Sequence, residues 1–303
     1  MKSVKLLIVI LLSVVFNACD KNDMKLVPEV DNGINIIIGE NIFYDDEIAF
    51  YDQSSRLIYF NHPLDLNSYY LWGTKYWFTN NKEVFYEGLI DMSPYCSCDS
   101  IGVAMSFQDW RYPGYTLSFI PDHIFMHQYS DIIDLKESQE INDVFEQHGK
   151  LRKGLECTID TILFQSGGDV SITFLIMNHD TVNYYYPDPG KMDQDTFHYL
   201  TWGLMFYYSN PNCKVIHNHI KLHSTNSFGE LHESWLSKIE AGDTNMYTIN
   251  YVGFDSLPAG KCLAYFPFPG MNDTNLSFDQ LNYKDGWIWI GILDLVKEVV
   301  IVP

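Results

Sequence analysis

Histidines two apart on a strand share a face, so His217 and His219 set two imidazoles about 7 Å apart, a separation that can grip one zinc ion. His223 falls on that face if the strand continues, but it lies about 13 Å from His219, too far for the same ion without a bend. The alternative is a polar, solvent-facing stripe opposite Ile216, Ile220 and Leu222, which fits the alternation without strain. Asp188, Asp193 and Asp195 gather among Pro187, Pro189 and Gly190 as hard oxygen donors of the kind that hold calcium. Their spacing matches no calcium loop, and an acidic surface turn accounts for it. Asp45, Asp46 and Glu47 stand at a strand's start, where like charges can raise one carboxyl's pKa, although solvation of three surface acids is far the commoner case. A glycosidase's carboxylate pair is set by the fold rather than by spacing, so no catalytic residue is assigned and no cofactor is implied.

Rings offer a second kind of chemistry. Tyr69, Tyr70, Trp72, Tyr76, Trp77 and Phe78 crowd ten positions, and Trp110, Tyr112 and Tyr115 flank Pro113-Gly114. Flat amphipathic rings on exposed loops stack on sugar faces, which makes Trp110, Tyr112, Trp72 and Trp77 the candidate ligand platform. Aromatics filling a β core give the same composition. No nucleophile elbow, phosphate loop, Rossmann glycine run, His-Glu-x-x-His helix or EF-hand loop occurs, which removes several large enzyme classes.

The elements that must position these residues are mostly strands. Aromatic residues make up 16% of the 303-residue chain, and strands accommodate them best. Hydrophobic residues make up 47%, so the chain is globular in composition. Against 39 acids stand 19 bases, a formal charge of −20 with no basic block, which repels DNA and RNA.

From Ile34 short apolar runs alternate with turns. Ile48–Tyr51 and Leu57–Phe60 around Asp52-Gln53-Ser54-Ser55 predict a hairpin, as do Tyr76–Phe78 and Val84–Tyr86 around Asn80-Asn81, whose residues tolerate positive φ. Runs 101–107 and 115–120 follow, and a helix is expected near 138–148, capped by Ser138 and stopped by Gly149. Residues 150–156 are the expected boundary between a β-rich domain, 34–150, and a second one, 151–303. In the latter, Val170, Ile172, Phe174 and Ile176 point one way, and Asn178-His179-Asp180 turns the chain into Val182-Tyr184-Tyr186 as a half-buried strand pair. Further strands are expected at 204–208, 215–222, 246–251, 263–268, 287–292 and 295–302, a number that suits a sandwich. Ser227-x-x-Glu230 before Leu231, Trp235 and Ile239 reads either as a capped helix or as a loop and strand. The fold expected is mainly β, an α+β first domain followed by a β-sandwich.

The first residues carry an address. Lys2 and Lys5 precede Leu6–Phe16, an apolar stretch interrupted only by Ser13 and too short to span a bilayer, which reads as an export signal over residues 1–18. The stretch closes on Phe16-Asn17-Ala18-Cys19, then Asp20-Lys21-Asn22-Asp23. This resembles the lipobox of bacterial lipoproteins, in its looser form that of the Bacteroidota, where a Lys/acidic tag after the cysteine accompanies export to the cell surface. Phe16 and Asn17 depart from the usual residues. The resemblance implies cleavage before Cys19, acylation of that residue, and a lipid anchor in the outer membrane, surface-exposed rather than periplasmic. Two or three acyl chains hold far better than one. Residues 19–33 then form a charged, extended tether, and loss of Lys2 and Lys5 leaves the mature chain more acidic still. Asp99-Ser100-Ile101, Asp160-Thr161-Ile162, Asp180-Thr181-Val182 and Asp255-Ser256-Leu257 resemble acceptors of O-glycosylation in the same bacteria.

Cys96, Cys98, Cys157, Cys213 and Cys262 are an odd set whose pairing stays open, and Cys96-x-Cys98 is too tight for a zinc knuckle. The stretch from Ile239-Glu240-Ala241-Gly242-Asp243 to Leu257-Pro258-Ala259-Gly260 and Tyr265-Phe266 looks like the late strands of bacterial immunoglobulin-like domains. These resemblances imply a non-enzymatic, envelope-anchored lipoprotein that interacts with or presents a ligand. The partners expected are the bilayer, through acylated Cys19, and a glycan or protein ligand. The alternatives are a glycan-binding component of a surface uptake system, a fimbrial or adhesin subunit, and a carboxylate-based hydrolase.

Overall fold

The computed structural model describes residues 30–64, 74–89, 112–118, 135–165, 168–192, 197, 203–208, 214–217, 233–252, 254, 257–269 and 276–302. The chain divides into two units, Met1–Val30 and Asp31–Pro303. The first, with the signal, Cys19 and the start of the tether, lies almost wholly outside the described residues.

The second unit is mainly β. Its first half runs β1 (Ile34–Ile38), β2 (Asn41–Phe43), β3 (Ile48–Asp52), β4 (Leu57–Phe60), β5 (Lys75–Asn80), β6 (Glu83–Leu89), β7 (Thr116–Ser118), α1 (Leu135–Gln147) and β8 (Leu151–Arg152). These form two four-stranded sheets, β2-β1-β5-β6 and β7-β4-β3-β8. Ile34, Ile36, Tyr76 and Phe78 from the first sheet and Ile48, Ile58 and Phe60 from the second bury one core, together with Ile141, Val144 and Phe145 of α1.

Both expected hairpins form, β3 with β4 and β5 with β6. In the second, positive φ falls on Asn81 and Lys82, one residue later than expected. The helix begins three residues earlier than its apolar spacing suggests, so Ser138 lies inside it rather than capping it, while Gly149 takes the left-handed conformation (φ +66) that stops it. Run 101–107 lies outside the described residues.

The second half comprises β9 (Leu155–Phe164), β10 (Val170–Asn178), β11 (Asn183–Pro187), β12 (Met205–Tyr208), β13 (Lys214–His217), β14 (Leu236–Ile239), β15 (Thr244–Tyr251), β16 (Gly260–Pro269), α2 (Phe278–Leu281), β17 (Asn282–Tyr283), β18 (Gly286–Ile288) and β19 (Ile292–Ile301). The sheets β15-β10-β9 and β13-β12-β16-β19 bury Ile172, Phe174 and Ile176 against Phe206, Ala264, Phe266 and Phe268, the expected sandwich. The ring of Phe174 lies 5.1 Å from that of Phe266.

The expected pairing of β10 with the strand after it is corrected. β10 pairs with β9 and β15, whereas β11 leaves for a third sheet, β14-β11-β18-β17. Asn178 makes the change of sheet possible. Its buried Nδ2 donates to the carbonyls of Val182, Ile239 and Glu240, holding the chain as it crosses. Of the two readings of 227–239, the described part is a short 3-10 turn, Glu233–Trp235, leading into β14. The expected strand 287–292 is interrupted at Gly291 (φ +134), where a Cβ would stand 2.4 Å from that of Ser55.

The stretch 150–156, where the sequence suggests a boundary, holds β8, which runs parallel to β3 with Tyr51 opposite Leu151. A third core joins Phe50, Leu57, Tyr59, Tyr112 and Tyr115 of the first half to Tyr185, Leu236, Leu281, Ile288 and Ile290 of the second. Among the described residues no helix is long and apolar enough to cross a membrane.

Candidate functional site

Polar groups with chemical potential meet beside this third core. The β3–β4 turn carries Asp52, whose Oδ1 accepts from Ser54 N (2.8 Å), Ser54 Oγ (2.6 Å) and Ser55 N (3.1 Å). The local cause is the spacing Asp-x-Ser-Ser, which lets a short carboxylate reach the amides two and three residues on. Ser54 Oγ in turn accepts from Leu155 N at 3.1 Å and from the indole Nε1 of Trp289 at 3.0 Å. Gly154 (φ +70) lets the chain pass, since a Cβ there would lie 2.1 Å from Ser54 Oγ and 2.5 Å from Asp52 Oδ1. Burial pushes the Asp52 carboxyl up from 3.8 to about 6; the hydrogen bonds of Ser54 and Ser55 oppose the shift, and the charge of Asp180 adds to it.

An acid and a serine at 2.6 Å resemble part of a nucleophile site, but the geometry serves another end. A serine attacks with a lone pair while a base takes its proton. In this arrangement both lone pairs of Ser54 already accept hydrogen bonds and its proton is held by Asp52. The group is a clasp that fastens the β3–β4 turn to the start of β9 and to Trp289.

Next to the clasp, His179 Nε2 meets Glu156 Oε2 at 2.5 Å, and Asp180 Oδ2 accepts from Tyr184 Oη at 2.8 Å. A shallow cleft of about 250 Å³ opens there, lined by Met177, Asn178, His179, Asp180, Gly242, Asp243 and Thr244. Among the described residues no three His, Cys, Asp or Glu side chains are grouped to hold a metal ion.

A second constellation lies where the third core reaches solvent. The half-buried Trp287 sits edge-on to Phe50 (5.2 Å) and Phe278 (6.0 Å), with the Arg152 guanidinium 5.6 Å from the ring centres of both Phe50 and Trp287. Tyr283 sits edge-on to Tyr185 at 4.9 Å, and Lys284 Nζ lies 4.5 Å from the Tyr283 ring. Asp285 accepts from Lys238 Nζ (2.7 Å) and Tyr185 Oη (2.6 Å). Those two bonds hold the Asp285 carboxyl down at about 2 and raise both donors. The arrangement combines half-exposed ring edges with donors and acceptors of both charges.

The sequence-predicted residues fall elsewhere. Cys19, Trp72, Trp110, His219, His223, Asp193 and Asp195 lie outside the described residues. Tyr112 is only 3% exposed and belongs to the third core, and Trp77, 9% exposed, sits on β5 opposite Ile37 and Glu87, so neither ring is an open platform. His217 ends β13 as the register partner of Met205. Asp188 is a buried acceptor for Gly190 N at 2.7 Å and for Ser237 Oγ, which accounts for it without calcium.

Asp45 and Glu47 turn to separate partners. Asp45 Oδ1 accepts from Ile34 N at 3.2 Å and lies 3.4 Å from Lys150 Nζ, while Glu47 accepts from Tyr44 N at 2.8 Å and meets His62 Nε2 at 3.0 Å. Cys157 and Cys262 are unpaired thiols, and burial pushes both up. Sequence reasoning missed the Asp52–Ser54 clasp and the rings of Trp287, Phe278 and Tyr283. Asp52-x-Ser-Ser was a signal for a turn, but nothing in it announces burial.

No family model, no curated protein and no solved structure matches the chain.

Proposed function

We propose that the chain is a lipoprotein, anchored in the outer membrane through acylated Cys19, whose β body has a non-enzymatic interacting or ligand-presenting role. The observation that carries this reading is the order of its parts. The apolar stretch Leu6–Phe16 runs into Ala18-Cys19, a charged segment follows, and a compact β unit begins at Asp31. The saturated hydrogen bonding of Ser54 assigns that serine to the fold rather than to nucleophilic chemistry. Fatty-acid labelling tests the anchor: wild type takes up label, Cys19→Ala does not, and unaltered export and size of that variant would sink the reading.

A second reading, a glycan-binding component of an uptake system, is favoured by the half-exposed rings of Trp287, Phe278 and Tyr283, with Arg152, Lys284 and Asp285 beside them. Ring edges flanked by charged hydrogen-bonding groups suit a sugar's mixed surface. On this reading the platform comprises Phe278, Tyr283 and Trp287 in addition to Trp110. Polysaccharide retention that weakens in Trp287→Ala supports it, and retention equal to wild type across a glycan panel removes it.

A further inference from the structure

Sheet edges are ready templates for another strand, and proteins blunt them by shortness, charge, proline or cover. Among the described residues, the edges of this molecule follow that rule with one exception. β2, β7, β8 and β17 have two or three residues each. β6 carries Glu83 and Glu87, β13 carries Lys214 and β14 carries Lys238. β19 carries Asp294, Lys297 and Glu298, and β9 carries Glu156 and Asp160 with Lys297 Nζ donating to the Ile159 carbonyl. β15 has eight residues, Thr-Asn-Met-Tyr-Thr-Ile-Asn-Tyr, without a charge, a proline or a glycine.

The sheet surface beside that edge is uncharged too. On the outer face Thr244, Met246 and Thr248 of β15 stand opposite Met177, Leu175 and Thr173 of β10. Met246 is 67% exposed, and Thr173 and Thr248 share a hydroxyl hydrogen bond of 2.9 Å. The inner face fixes the strand, with Asn245 Nδ2 and Tyr247 Oη both bonded to Tyr186 Oη at 2.8 and 2.5 Å.

We infer that β15 pairs antiparallel, through its outer edge at Asn245–Ile249, with β15 of a second copy of this chain. Two bodies of formal charge −20 can meet closely only where their acids stand back, and β15 with the strand beside it carries none, Glu156 lying one strand further in and Asp243 just ahead of Thr244. Strand alternation restricts the register, because residues opposite one another must share a face. Centring the pair on Tyr247 sets Met246 of each copy opposite Thr248 of the other, and Asn245 opposite Ile249. The result is a continuous six-stranded sheet, three strands from each copy. A closed two-fold contact of this kind leaves no further β15 edge open. The inference goes beyond the lipoprotein reading and does not depend on acylation of Cys19.

Sedimentation equilibrium of the full chain, in a nonionic detergent matched to the solvent density, tests it. Wild type is expected at twice the 35.2 kDa of one chain, with association tightening at least about threefold as salt screens the repelling bodies. Met246→Lys with Thr248→Lys places lysines opposite lysines and is expected to give monomer. Met246→Glu with Thr248→Lys places opposite charges across the same edge and is expected to restore the dimer. Both positions face solvent, so the fold is retained in either variant, as circular dichroism should show. A wild-type chain that stays at 35.2 kDa up to about 100 μM, or a dimer that survives the double lysine variant, would overturn the inference.

Discussion

Asp52 is a buried acceptor and Ser54 a half-buried hydroxyl, and their hydrogen bonds close within the turn itself and on two partners from elsewhere in the chain, Leu155 N and Trp289 Nε1. Thr244–Ile249 are the opposite case: a strand left at the surface without the charges that guard the other edges. The two regions differ in what a polar atom is for. At the clasp, an unsatisfied donor or acceptor costs more than a bond contributes, so the geometry is closed and intolerant. At β15, the backbone groups of the outer edge lie at the sheet's border, so the geometry is permissive and directed outward. The lesson is that Asp52 and Ser54, a pair that suggests chemistry, hold the fold, whereas the uncharged β15 carries the proposed contact.

Gly154→Ala should break the comparison hardest. Its Cβ would fall 2.1 Å from Ser54 Oγ at a φ of +70, so both strain and collision act, and a loss of about 4 kcal/mol or more is expected in denaturant unfolding. Ser54→Ala should cost less, about 2–4 kcal/mol, because it strands two buried donors, Leu155 N and Trp289 Nε1, and removes one donor from Asp52. Lys238→Ala, which breaks solvent-screened ion pairs with Asp285 and Glu240, should leave the denaturant midpoint close to that of wild type. Met246→Lys, on the outer face of β15, should leave unfolding within about 0.5 kcal/mol of wild type under conditions where the chain is monomeric. A large cost at Met246 or none at Ser54 would erase the distinction between the regions.

Much of the β architecture was legible because period-2 burial is a local property. Val170, Ile172, Phe174 and Ile176 alternate with Ser171, Thr173 and Leu175, which point the other way, and their side chains do enter one core. Alternation says which face is buried but not which strand lies alongside, and so β11 was assigned to β10 when it pairs with β14 and β18. Helix α1 starts earlier than its apolar residues suggest, because its first turn, from Leu135, precedes the buried stripe of Ile141, Val144 and Phe145.

Site residues were less legible. Tyr112 next to Pro113-Gly114 reads as an exposed turn, yet a contact from the other half of the chain buries it, and no local pattern encodes a partner so distant in sequence. The same holds for Asp52, whose turn is local but whose cover, Gly154 and Trp289, comes from elsewhere.

The central claim, that the buried acid of the clasp is a structural acceptor out of water, is tested most directly by comparing the unfolding free energies of wild type and Asp52→Asn from pH 4 to pH 7. The amide keeps an oxygen to accept the three bonds and cannot ionise. The folded carboxyl ionises near 6, its unfolded counterpart near 3.8, so between those values the folded state holds the extra proton. Wild-type stability attributable to this group therefore falls as pH rises through that window, and above it the full cost of about 3 kcal/mol is present. The account predicts that the difference moves in favour of Asp52→Asn by up to about 3 kcal/mol between pH 4 and pH 7. Curves that stay parallel across that range, or a gap that moves in favour of wild type, would contradict it.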